Sequence, residues 1–361
     1  MLVLSNEDVE KLLTPEDCLA SLEVAYRELA DKRAANRERT HTYFPVEDER
    51  HPGFRFRFKS QEGGNVSSGV WALRITSDMV GVETLPSGVK RRRLLPAAPG
   101  GRYVGLVTLY SMTTLEPLCM MHDSVIQKWR VGATSALGIR GLANPDAKVA
   151  SLFGSGWQAE SHLHTLLHVR PSIEEVRIYS PTQANRERFV REQSPKVNGK
   201  VRLIAVDEPR KAVQGCQIVT CATATMDPCF SGEWLEPGTH VTSITSPDGT
   251  AMRRELDDAT FDRADRIVVL SKEQILHDNQ IDILGPVQRG RITMDDIVSI
   301  PELLAGVKPG RTGKDQITVY ANNTGMGLQF AAVGARIHEL ALEKKIGREV
   351  PTDWFLEDTT P

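Results

Sequence analysis

The first forty residues carry a helical period. Thr14-Pro15-Glu16 reads as a helix start, with Thr14 able to cap and Pro15 suited to the first turn; Ser5-Asn6-Glu7 marks an earlier one. Behind Thr14, Cys18, Leu22, Ala25, Tyr26 and Leu29 recur at helical spacing and make one apolar stripe. From about residue 40 to 121 the period becomes two. Phe54, Phe56 and Phe58 alternate with Arg55, Arg57 and Lys59, and the runs GVWALRI and RYVGLVTLY are rich in β-formers. This predicts a sheet of meandering strands with turns at Gly63-Gly64, Pro86-Ser87-Gly88 and Pro99-Gly100-Gly101. The charged row lines an anion pocket or, on the plainer reading, forms a solvated or subunit-facing strand surface.

A helical pattern returns over 123–143. It includes Gly132, Ala133, Ser135 and Ala136, small residues that let another backbone come close, and Asn144-Pro145-Asp146 then breaks it. We place a domain boundary there. Downstream, strands are expected over 149–153, 176–179, 201–206, 217–220, 240–244 and 266–270, with helical segments between several of them. That alternation implies a parallel sheet covered by helices, an α/β domain. Beyond Lys314 the α/β pattern has ended; ITVYANNTGMGLQF leads into a last helix over 330–345, expected to pack back on the first domain.

Composition narrows the classes. The 361 residues hold 44 Lys+Arg against 47 Asp+Glu, with 40% hydrophobic and 25% charged residues. This excludes a nucleic-acid partner recognised by bulk positive charge, and it excludes disorder. No stretch reaches the ~18 uncharged apolar residues of a membrane span, and MLVLSNEDVEKLL meets charges too early for a secretory signal. A cytoplasmic protein with no membrane partner is expected. Cys18, Cys119, Cys216, Cys221 and Cys229 are odd in number and form no Cys-x-x-Cys pair, so they read as reduced thiols.

The sharpest chemical signal is a strand running through Phe153 into Gly154-Ser155-Gly156-Trp157-Gln158-Ala159, a G-x-G-x-x-A turn that opens a helix. Gly154 permits the tight turn, Gly156 lets a pyrophosphate approach the backbone, Ala159 allows close helix packing, and the helix N-terminus supplies N–H groups. The next strand ends at Tyr179-Ser180-Pro181-Thr182, with Arg186 following and no Asp or Glu to take the ribose hydroxyls. Ser180, Thr182 and Arg186 suit a 2′-phosphate, so NADP(H) is expected over NAD(H). We also place Thr134, Thr223 and Asn323 in the cofactor-binding set. His164 and His168 share a helix face near His162, but the H-E-x-x-H pattern is absent and no metal is expected. Arg130 lies where an Arg can grip a substrate carboxylate, or make a structural ion pair.

With these residues assembled, the chain resembles the ornithine cyclodeaminase/μ-crystallin family. The resemblance rests on Arg130-Val131-Gly132-Ala133-Thr134-Ser135-Ala136, the GSGWQA turn, Gly232-Glu233-Trp234-Leu235-Glu236-Pro237-Gly238-Thr239-His240 and Arg254-Glu255-Leu256-Asp257. It implies a homodimer in which a Rossmann domain, 144–319, is inserted in a split α+β substrate and dimerisation domain made of 1–143 plus 320–361. It also implies hydride chemistry at an amino or imino carbon, with Arg130 gripping the carboxylate and Arg39 matching an earlier family arginine. Three departures stand out. The substrate-contacting lysine of the family falls on Arg74, the aspartate of true cyclodeaminases falls at Pro247 with Asp248 one residue later, and Phe58-Lys59-Ser60-Gln61-Glu62-Gly63 replaces an apolar-Pro segment. That last strand is similar to a family subgroup labelled as a tyramine oxidase subunit.

The reading favoured is an NADPH-dependent oxidoreductase acting on a C=N or C–N bond beside a carboxylate. Arg130 and Arg39 hold the acid with Arg74 or Lys59, and Asp248, or alternatively Lys59, carries the proton. The alternatives are an ammonia-releasing cyclodeaminase that recycles NAD, and a non-catalytic NADPH-binding protein such as an amine oxidase subunit.

Overall fold

The computed structural model describes residues 1–46, 49–197, 199–247 and 252–359. The chain divides into two compact units: 1–81 with 93–130 and 325–361, and 82–92 with 131–324. The first contains β1 (Leu2–Leu4), α1 (Asn6–Leu12), α2 (Pro15–Ala30), β2 (Ala34–Asn36), β3 (Thr40–Pro45) and β4 (Arg55–Asn65). A hairpin of β5 (Val70–Thr84) and β6 (Lys90–Leu95), whose end belongs to the second unit, leads to β7 (Val104–Ser111), β8 (Pro117–His122) and the long α3 (Ser124–Leu142). The order across this sheet is β17-β1-β8-β7-β5-β4-β2, where β17 is Arg348–Glu349; β3 pairs with β4 and β6 with β5.

Thr14 caps α2 by accepting from the Asp17 N–H at 3.1 Å, and Cys18, Leu22, Ala25 and Tyr26 form its buried stripe. The turns at Pro86-Ser87-Gly88 and Pro99-Gly100-Gly101 are present. Gly63-Gly64 is not a turn. Both residues lie inside β4, where a Cβ on Gly63 would stand 2.5 Å from the Leu328 nitrogen. Gly63 lets the N-terminus of α11 (Gly327–Lys344) press on the strand, and a Cβ on Gly64 would meet the Val70 oxygen and Trp71 on β5, uses that a turn signal does not distinguish. The alternating strand also faces the other way from the plainer expectation. Arg57 is buried on the inner face, whereas Phe58 is exposed on the outer one, because Asp78 on β5 receives the guanidinium.

In the second unit, β9 (Val149–Phe153), β10 (Glu175–Tyr179), β11 (Arg202–Val206), β12 (Ile218–Cys221), β13 (His240–Ser243), β14 (Arg266–Val269), β15 (Val298–Ser299) and β16 (Thr318–Ala321) form one sheet. Every pair in it is parallel and the order is β11-β10-β9-β12-β13-β16-β14-β15. The α/β pattern therefore continues past Lys314, since β16 inserts between β13 and β14. Helices α4 (Trp157–Val169), α5 (Gln183–Gln193), α6 (Pro209–Val213), α7 (Asp258–Asp262), α8 (Glu273–His277), α9 (Ile281–Gln288) and α10 (Ile300–Leu304) connect the strands. Strand order reverses beside β9, the place where open α/β sheets take ligands. The small residues of α3 serve close packing, because a Cβ on Gly132 would lie 2.9 Å from the Ser161 backbone.

The contact between β4 and α11 is tight enough to test. A Cβ on Gly327 would collide with the Glu62 carbonyl group. Gly327→Ala is expected to cost about 1–3 kcal/mol through overpacking, read as a lower thermal midpoint; an unchanged midpoint contradicts this packing.

Candidate active site

In the second unit, Gly154 has φ +121°, and a Cβ there would collide with the Ala222 oxygen. The position therefore requires glycine on two counts. Its N–H donates to Tyr179 O at 2.9 Å, tying the turn to the end of β10. Gly156 begins α4 without a side-chain cap, and a Cβ there would meet nothing within 4 Å. First-turn N–H groups and open space stand together, as a dinucleotide pyrophosphate needs. Ser155 is half-buried, Trp157 is exposed, and Ala159 is buried against the turn. Gln158 gives its carbonyl to Ser161 Oγ and His162 Nδ1.

At the end of β10, Ser180 is buried, while Pro181 and Thr182 are exposed. Thr182 opens α5 without capping it by its side chain. Arg186 donates one Nη1 bond to Ser180 O at 3.0 Å, which holds the guanidinium at the strand end. No carboxylate stands at 180–182, although Asp207 after the adjoining β11 feels the Arg186 cation.

Glu255 is fully buried, and burial pushes its carboxyl above the ordinary range. It accepts from Thr223 N and Oγ1 and from the N–H groups of Ile244 and Thr245, at 2.6–3.1 Å. One carboxylate thus fixes the chain leaving both β12 and β13. Asn323 is equally committed. Its Oδ1 accepts from Leu270 and Ser271 N–H, and its Nδ2 donates to Ser271 O and Gln280 Oε1, so its carboxamide has no donor left for a ligand. Thr134 is buried on α3. Burial lowers His162 to about 4, a neutral ring bonded to Gln158 O and Ser135 Oγ, and His164 pairs with Gln193. Among the described residues no His/Cys/Asp/Glu group could hold a metal. Asp282 on α9 is pushed up to about 7 by burial.

The first unit concentrates positive charge. Arg74 and Arg130 are each 4% exposed, and both guanidinium carbons lie over the Phe330 ring, at 5.2 and 5.3 Å. Arg74 donates Nε and Nη2 to Asp123 Oδ2 at 2.8 and 2.5 Å, and Nη1 to Gln61 Oε1 at 2.7 Å. Gly105 leaves room for the Asp123 carboxylate, since a Cβ there would strike it. Arg130 differs, for its partners are carboxamides. Nε and Nη2 donate to Gln127 Oε1, and Nη1 to Gln329 Oε1 at 2.8 Å. Gln329 is itself fixed by Tyr26 and by the Met326 N–H. Burial first, then the Arg74 cation, pulls Arg130 down to about 9, so it stays charged at neutral pH. Arg57 pairs with Asp78 at 2.6 Å, and Lys59 is driven well below its usual range by burial and then by Arg74, Arg57 and Arg39. Arg39 also acts on Arg130.

Arg39, Lys59, Arg74 and Arg130 therefore share one electrostatic cluster, whereas Asp248 lies outside the described residues. Asp123, Gln61, Gln127, Gln329, Phe330 and Glu255 escape a reading of the sequence for site residues. Gln127 has a local signal, at i−3 from Arg130 on a helix, and Glu255 stands within the Arg254-Glu255-Leu256-Asp257 segment.

The family described as "Ornithine cyclodeaminase/mu-crystallin family" matches residues 96–345. Among curated relatives, the chain is 34% identical over 245 residues to "Uncharacterized cyclodeaminase y4tK" of Sinorhizobium fredii, covering 67% of this chain and 71% of that protein. Among solved structures, Delta(1)-pyrroline-2-carboxylate reductase of Thermococcus litoralis, in complex with NADH and L-proline, is 29% identical with a TM-score of 0.81, covering 97% of this chain and all of that one. An archaeal alanine dehydrogenase dimer with bound NAD is 25% identical with a TM-score of 0.79, covering 97% of this chain and 99% of that one. The chain belongs to the ornithine cyclodeaminase/mu-crystallin family.

Proposed function

We propose that this protein is an NAD(P)H-dependent oxidoreductase that reduces a C=N bond next to a carboxylate, or oxidises the matching C–N bond. The observation that carries this reading is Arg130, a buried cation whose partners are two carboxamides. Three of its five donors are engaged, which leaves two N–H groups and a full charge for a carboxylate. The Thermococcus reductase is in complex with NADH and L-proline, a dinucleotide and an amino acid that imine reduction yields.

Gly154, Ser155, Gly156, Trp157, Gln158 and Ala159 would hold the pyrophosphate, with Thr134, Thr223 and Asn323 shaping the surrounding backbone. When bound, the nicotinamide supplies or takes the hydride. Arg130, with Arg39, fixes the acid so that its C2 is presented in one orientation, and such positioning supplies much of the rate. Arg74 is spent on Asp123 and Gln61 and keeps the neighbourhood positive. We assign proton delivery to Asp248 rather than Lys59, because an amine biased toward its neutral form has no proton to give. Ser180, Pro181, Thr182 and Arg186 would receive a 2′-phosphate, which favours NADPH. The protein is read as a cytoplasmic homodimer, like the alanine dehydrogenase dimer; the exposed Phe44 and Phe58 on the outer face of β3 and β4 are suited to a second copy of the chain.

Arg130→Met is expected to lower kcat/KM for an imino acid by about 100-fold or more, the worth of a bidentate charged contact. Its affinity for NADPH should stay near wild type; retained kcat/KM refutes the assignment. Arg186→Ala is expected to weaken NADPH binding by ~10- to 100-fold while NADH binding changes little, measured by fluorescence titration. Equal effects on the two cofactors would show that no 2′-phosphate is read at this strand end.

A further inference from the structure

Neither Arg130 nor Lys59 forms an ion pair with a carboxylate among the described residues, and one substrate bearing two anions answers both. Resting on the reductase reading, we propose that the imine carries a second carboxylate on its side chain, held by Lys59, while Arg130 holds the carboxylate beside the C=N carbon.

The strand register sets out the charges. Arg57 stands opposite Asp78, Lys59 opposite Thr76 and Gln61 opposite Arg74, alternate positions that share one face of β4 and β5. Arg57 is spent on Asp78 and Arg74 on Asp123. Thr76 donates its hydroxyl to Asp78 at 3.1 Å. On the other side, β3 sets His41 opposite Lys59 and Tyr43 opposite Arg57. The Lys59 amine has no hydrogen-bond or ion-pair partner among the described residues, and the side chain is half-buried. Arg74, Arg57 and Arg39 repel its proton, and Asp78, already paired with Arg57, opposes them only in part.

A carboxylate beside Lys59 cancels that repulsion. Its single charge suits a single ammonium. Lys59 sits one pleat, roughly 7 Å, from Gln61, which Arg74 grips. Arg74 and Arg39 act on both Lys59 and Arg130, and Arg74 shares the Phe330 ring with Arg130, so the Lys59 amine and the Arg130 guanidinium serve one neighbourhood. A monocarboxylate answers Arg130 and leaves Lys59 as it is.

The test compares acids of matched length in the full protein with NADPH and ammonium. NADPH consumption is followed with oxaloacetate against 2-oxobutyrate and with 2-oxoglutarate against 2-oxopentanoate, and Δ1-pyrroline-2-carboxylate is included as a cyclic monoacid. At least one diacid is expected to exceed its monoacid partner in kcat/KM by ~10- to 100-fold, the worth of one charged contact. Lys59→Met should erase most of that ratio and Lys59→Arg should keep it. Calorimetry gives a readout independent of turnover. In buffers of different ionisation enthalpy, L-aspartate or L-glutamate should bind the NADP⁺-loaded protein with proton uptake that Lys59→Met abolishes and that L-2-aminobutyrate and L-norvaline do not show. Reduction of monoacids as efficiently as diacids overturns the proposal and leaves the reductase reading intact, as does a Lys59→Met variant that slows both acids equally. If no acid is reduced, the reductase reading fails, and diacid binding without proton uptake then refutes the role of Lys59 as well.

Discussion

A guanidinium keeps its charge at any physiological pH, and burying one without a carboxylate costs several kcal/mol. Arg130 accepts that cost: Gln127 and Gln329 orient it without neutralising it. Much of the first unit holds this arrangement in place. Tyr26 on α2 fixes Gln329, Phe330 offers its ring to both guanidiniums, and Gly325 leaves room for Arg130 and Gln61, whose atoms a Cβ there would approach to 2.8–2.9 Å. On the proposed reading a ligand would complete this cluster, because an arriving anion would supply charge that the carboxamides do not.

The second unit shows the opposite case. Glu255 and Asn323 are buried polar groups too, but their hydrogen-bonding capacity is filled by neighbouring backbone and side chains, and they lock the ends of β12, β13, β14 and β16. Saturated groups shape a site; unsaturated ones occupy it. By this criterion Arg130, Lys59, Arg186 and the uncapped start of α4 are the groups proposed to face ligands, whereas Glu255 and the Asn323 side chain hold the scaffold.

The glycine turn, the parallel strands and Arg130 are legible in the sequence because each leaves a local mark: a G-x-G-x-x-A spacing, an alternation of period, a motif on one helix. What stays hidden is long-range. Nothing near Arg74 announces that Asp123, forty-nine residues on, will take two of its donors. The inward turn of Arg57 depends on Asp78 across the sheet, and a period of two cannot say which face is buried. Gly63 misleads for the same reason, since a residue that demands glycine there is Leu328, far along the chain. Strand β16 escapes the α/β pattern because it follows a long irregular stretch, yet its run of Thr318, Val319, Tyr320 and Ala321 is wholly buried.

Hydride transfer to an imino carbon beside a carboxylate is the chemistry proposed for this protein. Its most direct measurement follows deuterium from NADPH labelled at C4 into the product by mass spectrometry. One deuterium is predicted at the α-carbon of the amino acid, equimolar with oxidised cofactor. Ammonia release from a diamino acid with no net change in the cofactor, or no transfer of label to any imino acid, would contradict it.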